Sequence, residues 1–211
     1  MGRRTVHVAV YDTLADWEIG HITAHLRETT FHRPPREGFT VAYVAARPGP
    51  VTTMGGMRIQ PDLTLAELRP EDSAMLILPG ATAWEGDPEM SRFTRAAREF
   101  LEAGVPVAAI CGATAGLAME GLLDEREHTS AAAEFLAATG YKGGDHYREA
   151  DAVTDAESGL ITAGPTEPVA FAREILARLE VFEPEVLDAW FRLFSASDAA
   201  AYGVLEAAAT R

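Results

Sequence analysis

The chain holds one cysteine, Cys111, and it stands where the sequence changes period. Residues 105–110 form a nearly unbroken apolar run that reads as a buried strand, and the small residues Gly112, Ala113, Ala115 and Gly116 open a helix almost at once. A strand-to-helix turn of this kind pushes one reactive side chain out of a sheet's carboxyl edge and aims the free N–H groups of the next helix at it. A thiol there is expected to titrate low, because the positive end of the helix favours the thiolate. The small neighbours fit the same geometry, since a tight elbow leaves no room for branched side chains.

A thiolate needs a proton partner and a place to put negative charge. Glu18 falls in the first turn of an amphipathic segment (15–28) that follows a first strand (6–11), at that strand's carboxyl edge, where an open parallel sheet builds its sites. Pro79, Gly80, Ala81 and Thr82 end the apolar run 74–78 and can offer backbone N–H groups without a bulky side chain in the way. Gly80 and Ala81 are therefore candidate oxyanion-binding positions. His128 and His146 are the remaining candidate bases, and Trp84 and Tyr147 are candidate pocket walls that would favour apolar substrates. The same residues admit a plainer reading, with Cys111 an inert small apolar group, Glu18 a solvated first-turn acid and the aromatic residues ordinary core. One cysteine excludes an internal disulfide and a multi-cysteine zinc site, and neither a metal nor a cofactor is expected.

The elements that must position these residues alternate. Strands are expected over 6–11, 39–45, 74–78, 105–110, 152–154 and 159–163, with a hairpin around Gly55 and Gly56 and a further short strand from 125–130. Helices are expected over 15–28, 87–103, 112–123, 131–138 and 167–179, the last capped by Thr166. This alternation indicates a doubly wound α/β sandwich. Two more helices, 183–194 and 198–209, close the chain, and Trp190, Phe191 and Phe194 give them an apolar face for the body of the domain or a second subunit.

With 211 residues and 47% hydrophobic content the chain can bury one core, and no linker divides it. A net charge of −14 at pH 7 without a basic patch argues against nucleic acid and anionic membrane as partners, and for a small-molecule substrate. Arg3 and Arg4 are not followed by an apolar run of signal-peptide length, and no window is long enough to span a bilayer, so a cytoplasmic protein is expected.

Five motifs in order resemble the ThiJ/PfpI superfamily, which includes the Parkinson's-disease protein deglycase and PfpI-type intracellular proteases. They are Asp16-Trp17-Glu18, 76–80, 109–114 with 121–123, Tyr147-Arg148, and 160–165 leading to 171–175. The resemblance implies a flavodoxin-like three-layer α/β/α sandwich with a mostly parallel central sheet. On that reading residues 1–180 form a domain similar to class I glutamine amidotransferases, and 181–211 form a helical extension like that of a bacterial subgroup labelled amidotransferase-like. It further implies that Cys111 is the nucleophile, Glu18 the acid at its sulfur and the backbone N–H groups of Gly112 and Gly80 or Ala81 the oxyanion hole, and that the protein pairs as a homodimer. The expected activity is a cofactor-independent hydrolase or lyase acting on a small carbonyl or amide compound. The alternative is a redox or stress sensor in which Cys111 is oxidised to sulfinic acid. Two departures matter. Protease-like members carry a histidine directly after the cysteine, where this chain has Gly112, so peptidase activity is not expected. Many relatives have His or Asn near the position of Ala131.

Overall fold

The computed structural model describes residues 5–210. Mostly apolar and β-branched runs become the inner strands: β1 (Thr5–Ala9), β6 (Met75–Leu78), β7 (Val107–Ile110) and β9 (Leu160–Ala163), of which the last three are buried at every position. They join β2 (Thr40–Ala45), β5 (Leu63–Thr64) and β8 (Ala152–Thr154) in one seven-stranded sheet of order β5-β2-β1-β6-β7-β9-β8. All neighbours are parallel except β8 and β9, which pair antiparallel as two successive strands joined by a short turn. The expected hairpin at Gly55 and Gly56 forms a separate ribbon, β3 (Val51–Thr52) with β4 (Arg58–Ile59).

The chain winds outward from β1 to β2 and β5, then returns to β6 on the other side of β1 and continues to β7 and β9. The direction therefore reverses between β1 and β6, and the crevice outside the carboxyl ends of those two strands is where an open parallel sheet builds its sites. The helices follow the same split. α1 (Asp16–Arg27) packs with α5 (Pro168–Arg178), while α2 (Met90–Glu102) packs with α3 (Gly112–Met119). A short helix, α4 (Ala133–Ala137), leans on α3.

Several expected boundaries shift for local reasons. α2 starts at Met90 because the Asp87 carboxylate takes the Glu89 N–H at 2.8 Å and holds residues 87–89 as a turn. α3 stops at Met119 because Gly121 turns left-handed at φ +73°, and the Gly121 and Leu122 N–H groups close back on the Ala118 and Leu117 carbonyls. The expected strand from 125–130 does not form. Only one bridge, His128 with Tyr147, is made there, and the Thr129 N–H goes to the Thr162 hydroxyl at 2.8 Å. Thr166 does not cap α5, since its hydroxyl donates to Glu167 Oε1 and the helix begins at Pro168.

The chain ends in α6 (Pro184–Ala196) and α7 (Tyr202–Ala209), and α6 packs on α5. The body of the same chain takes the apolar face of α6: Trp190 is fully buried, and its indole N–H donates to His25 Nε2 on α1 at 2.9 Å. Phe191 lies under the Arg173 guanidinium, whereas Phe194 stays partly in solvent. Arg36 reaches the last turn of α7 and donates to the Ala208 and Ala209 carbonyls, at the end where a helix runs out of its own donors. Among the described residues no helix is long and apolar enough to cross a membrane.

Candidate active site

Three strand ends meet at the crevice: β1 leads to Glu18, β6 to Gly80 and β7 to Cys111. The turn after β7 is as sharp as the small residues imply. Cys111 has φ 59° and ψ −129°, a conformation that costs a non-glycine residue about 1–3 kcal/mol. Its surroundings hold it there. The Cys111 N–H donates to the Ala163 carbonyl at 3.1 Å, and the Cys111 carbonyl accepts both the N–H and the hydroxyl of Thr114, at 3.0 and 2.6 Å. The Thr114 hydroxyl is itself paired with Ser130 at 2.6 Å.

Glu18 is almost fully buried. Its Oε2 accepts the Gly80 N–H at 2.5 Å, and its Oε1 has no hydrogen-bond partner, one of two buried side-chain polar atoms in that state among the described residues. Gly80 has to be glycine for reasons of space. A Cβ there would lie 2.7 Å from Cys111 Cβ and 2.9 Å from each Glu18 carboxylate oxygen. The acid and the thiol are thus packed together across a bare backbone.

That closeness reverses one expectation. Cys111 does not titrate low: burial first, and the Glu18 carboxylate second, push its thiol up to about 12 against the opposing pull of the Gly112 N–H. Burial likewise pushes Glu18 up to about 7, although the Gly80 N–H and the neighbouring Cys111 thiol favour its charged form. The helix end remains favourable to a thiolate, but burial outweighs it, and a charged Glu18 adds to that. Protonating Glu18 removes two of the influences that raise Cys111, so the pair behaves as one site sharing a proton.

The pair opens into a cleft of about 510 Å³. Trp84, Ala81 and Gly112 line it, as sequence reasoning anticipates for a wall and for oxyanion donors. The Gly80 N–H is committed to Glu18, so of the three candidate oxyanion donors only Ala81 and Gly112 remain as candidates. Trp84 is fixed by its indole N–H, which donates to the Pro79 carbonyl at 3.0 Å and the Tyr11 hydroxyl at 3.1 Å. Tyr11 also donates to the Pro79 carbonyl.

His128, His146 and Tyr147 do not line the cleft. His128 is buried elsewhere, with Nδ1 against the Arg126 carbonyl and Nε2 against the Tyr141 hydroxyl, and burial lowers its pKa. Tyr147 packs edge-on against His128, and His146 sits in the short 3₁₀ turn before it. Sequence reasoning misses the mouth of the cleft, where Trp17, Met54, Met119 and Phe135 converge. Their signal is faint: each is a large apolar residue beside a turn or on the polar side of its helix. Asp16 is missed as well. Its carboxylate accepts the Thr53 hydroxyl at 2.5 Å and the Gly55 N–H at 2.6 Å, latching the hairpin so that Met54 lies over the cleft. Burial opposes that carboxylate, but the Thr53 and Gly55 bonds outweigh it and keep its pKa below the usual value.

Known proteins share this fold. The chain is 35% identical over 195 residues to a Bacillus subtilis protein named an uncharacterized protease, YoaZ, with 92% of this chain and 91% of that relative covered. It overlays a ThiJ/PfpI family protein from Bacillus anthracis with a TM-score of 0.92 at 34% identity, over 99% of each chain. A DJ-1 superfamily protein from Agrobacterium tumefaciens gives 0.80 at 32% identity, over 92% of this chain and 98% of the other. A shorter match, 33% identical over 100 residues, covers 47% of this chain and 60% of a Pyrococcus furiosus protein named deglycase PfpI. Residues 4–178 match the family described as DJ-1/PfpI, to which this chain therefore belongs.

Proposed function

We propose that the protein is a cysteine-dependent enzyme that forms a covalent adduct between Cys111 and a small carbonyl or amide compound, with Glu18 as its proton donor. The observation that carries this reading is the buried Glu18 carboxyl, held by Gly80 with one oxygen undonated beside the thiol. In the reactive form the shared proton sits on Glu18 and the sulfur is a thiolate facing the Gly112 N–H. The sulfur lone pair forms a bond to the carbonyl carbon and the C=O π pair moves to oxygen. The Ala81 and Gly112 N–H groups hold that charge, and Glu18 then delivers its proton to it. Among the relatives' names, deglycase suits the site better than protease, because Gly112 supplies no imidazole next to the sulfur.

The test is the rate at which iodoacetamide alkylates Cys111, followed by intact mass from pH 5 to 11. In the wild type the rate should rise through a midpoint near 7, where the pair loses its first proton. In Glu18→Gln that step should vanish, and the thiol should titrate between the ordinary 9 and about 12, because the neighbouring carboxylate is gone but burial remains. Cys111→Ser should take no label and should abolish turnover while keeping the fold. A wild type that titrates identically to Glu18→Gln would overturn the reading.

The undonated Glu18 oxygen also favours a second reading, in which peroxide oxidises Cys111 to a sulfinic acid and the Glu18 proton binds one of its oxygens. A gain of two oxygen atoms under peroxide, with no turnover of any carbonyl compound, would select it.

A further inference from the structure

We infer that the Cys111 cleft selects uncharged carbonyl compounds carrying an apolar substituent of about aryl or branched-alkyl size, and discriminates against anionic ones. The inference rests on Cys111 being the nucleophile and adds what the nucleophile meets.

Seven large apolar side chains are exposed among the described residues, and four of them ring this one opening: Trp17 (49% exposed), Met54 (49%), Met119 (61%) and Phe135 (41%). They come from four separate elements: α1, the β3–β4 turn, the end of α3, and α4. Single exposed apolar residues are ordinary, but a convergence around a concave site marks a binding surface. Two of the four are held in place. The Trp17 indole N–H donates to the Pro165 carbonyl at 3.2 Å, and the Asp16 latch fixes the turn that carries Met54. Met54 and Met119 add unbranched side chains able to adjust to the shape of an occupant.

Charge supplies the second half. The carboxyl groups in the lining are Glu18 and Glu85, and none of the described lining residues is Lys, Arg or His. Glu85 is near enough to help raise the Cys111 thiol, so a substrate carboxylate at the sulfur would meet the same repulsion. The net charge of −14 opposes the approach of an anion further out. A neutral carbonyl compound escapes both effects, and its apolar substituent covers side chains that otherwise stand in water.

Three alkylating probes test this without a known substrate: iodoacetamide, 2-iodo-N-phenylacetamide and iodoacetate. With each, the Cys111 sulfur displaces iodide, and the single cysteine makes the mass shift unambiguous. Rates are divided by those of N-acetylcysteine to remove intrinsic reactivity. The N-phenyl reagent should then exceed iodoacetamide by about tenfold, as expected for burying a ring, and iodoacetate should fall about tenfold below it. In Met119→Ala/Phe135→Ala, a change confined to exposed side chains, the N-phenyl preference should drop by at least about threefold. In Glu85→Gln the penalty on iodoacetate should shrink. Equal normalised rates for the two neutral reagents would overturn the inference, which is also the outcome if a second copy of the chain covers the mouth. So would a preference for iodoacetate. No labelling by any reagent would instead overturn the reading of Cys111 as a nucleophile.

Discussion

At Cys111 and Glu18 the residue types announce the chemistry, but the sign of one effect depends on burial. A lone cysteine at a change of hydrophobic period and an acid one turn after the first strand are both legible in the chain. That the two are pressed together across Gly80, and that the thiol rises as a result, is not, because sequence spacing does not report the distance between side chains on different strand ends. Gly80→Ala should therefore be severe. The new methyl would intrude on both groups, costing about 1–3 kcal/mol of stability in urea unfolding, and alkylation of Cys111 should lose its midpoint near 7. Glu18 should also leave a mark on stability. Its folded pKa, about 7, lies above its ordinary value of 4.5, so its stabilising contribution is complete below 4.5 and is lost as pH rises through 7. Glu18→Gln should become more stable relative to wild type across that window and level off above it, by up to about 3 kcal/mol.

At the scale of elements, small residues decide how closely neighbours approach. Gly116 in α3 lies directly under the Trp84 ring, where a Cβ would come within 2.3 Å of Cζ3. Gly116→Ala should push the indole out of the cleft wall and lower stability by about 1–3 kcal/mol, seen as a reduced urea midpoint with unchanged slope. The hairpin depends on one side chain in the same way. Asp16→Ala should speed hydrogen exchange at the Gly55 N–H and free Met54 from its position, while the seven-stranded sheet keeps its protection. The inner strands and long helices can be read from periodicity because their pattern and their burial coincide. The failures are short. Residues 125–130 look like a strand, yet Thr129 bonds to a side chain and His128 makes a single bridge, so no ladder propagates. The Thr166 cap fails because Pro168, already set for the first helical turn, fixes where α5 starts.

Over the whole molecule, the reversal of strand order between β1 and β6 places the site, and α6 packs against the opposite end of α1. The alternation of strand and helix makes the parallel sheet legible, whereas the fit of α6 to α1 turns on His25, which no pattern marks. Its Nε2 accepts the Trp190 N–H only as a neutral ring. Burial first, with His21 and His32 adding to it against Glu28, lowers its pKa from 6.5 to about 4. A depressed histidine stabilises above its unfolded pKa and loses that contribution as pH falls, here from 6.5 to about 4. The stability of wild type relative to His25→Gln, which keeps an acceptor for Trp190, should decline across that interval. The placement of the three tryptophans carries a last consequence. Trp17 stands half in water at the mouth of the cleft, Trp84 forms its wall, and Trp190 is sealed beneath the terminal helices. Intrinsic emission therefore divides into three regional reports: a soluble quencher should reach Trp17 first, a cleft occupant should shield it and perturb Trp84, and acid should redden the light from Trp190.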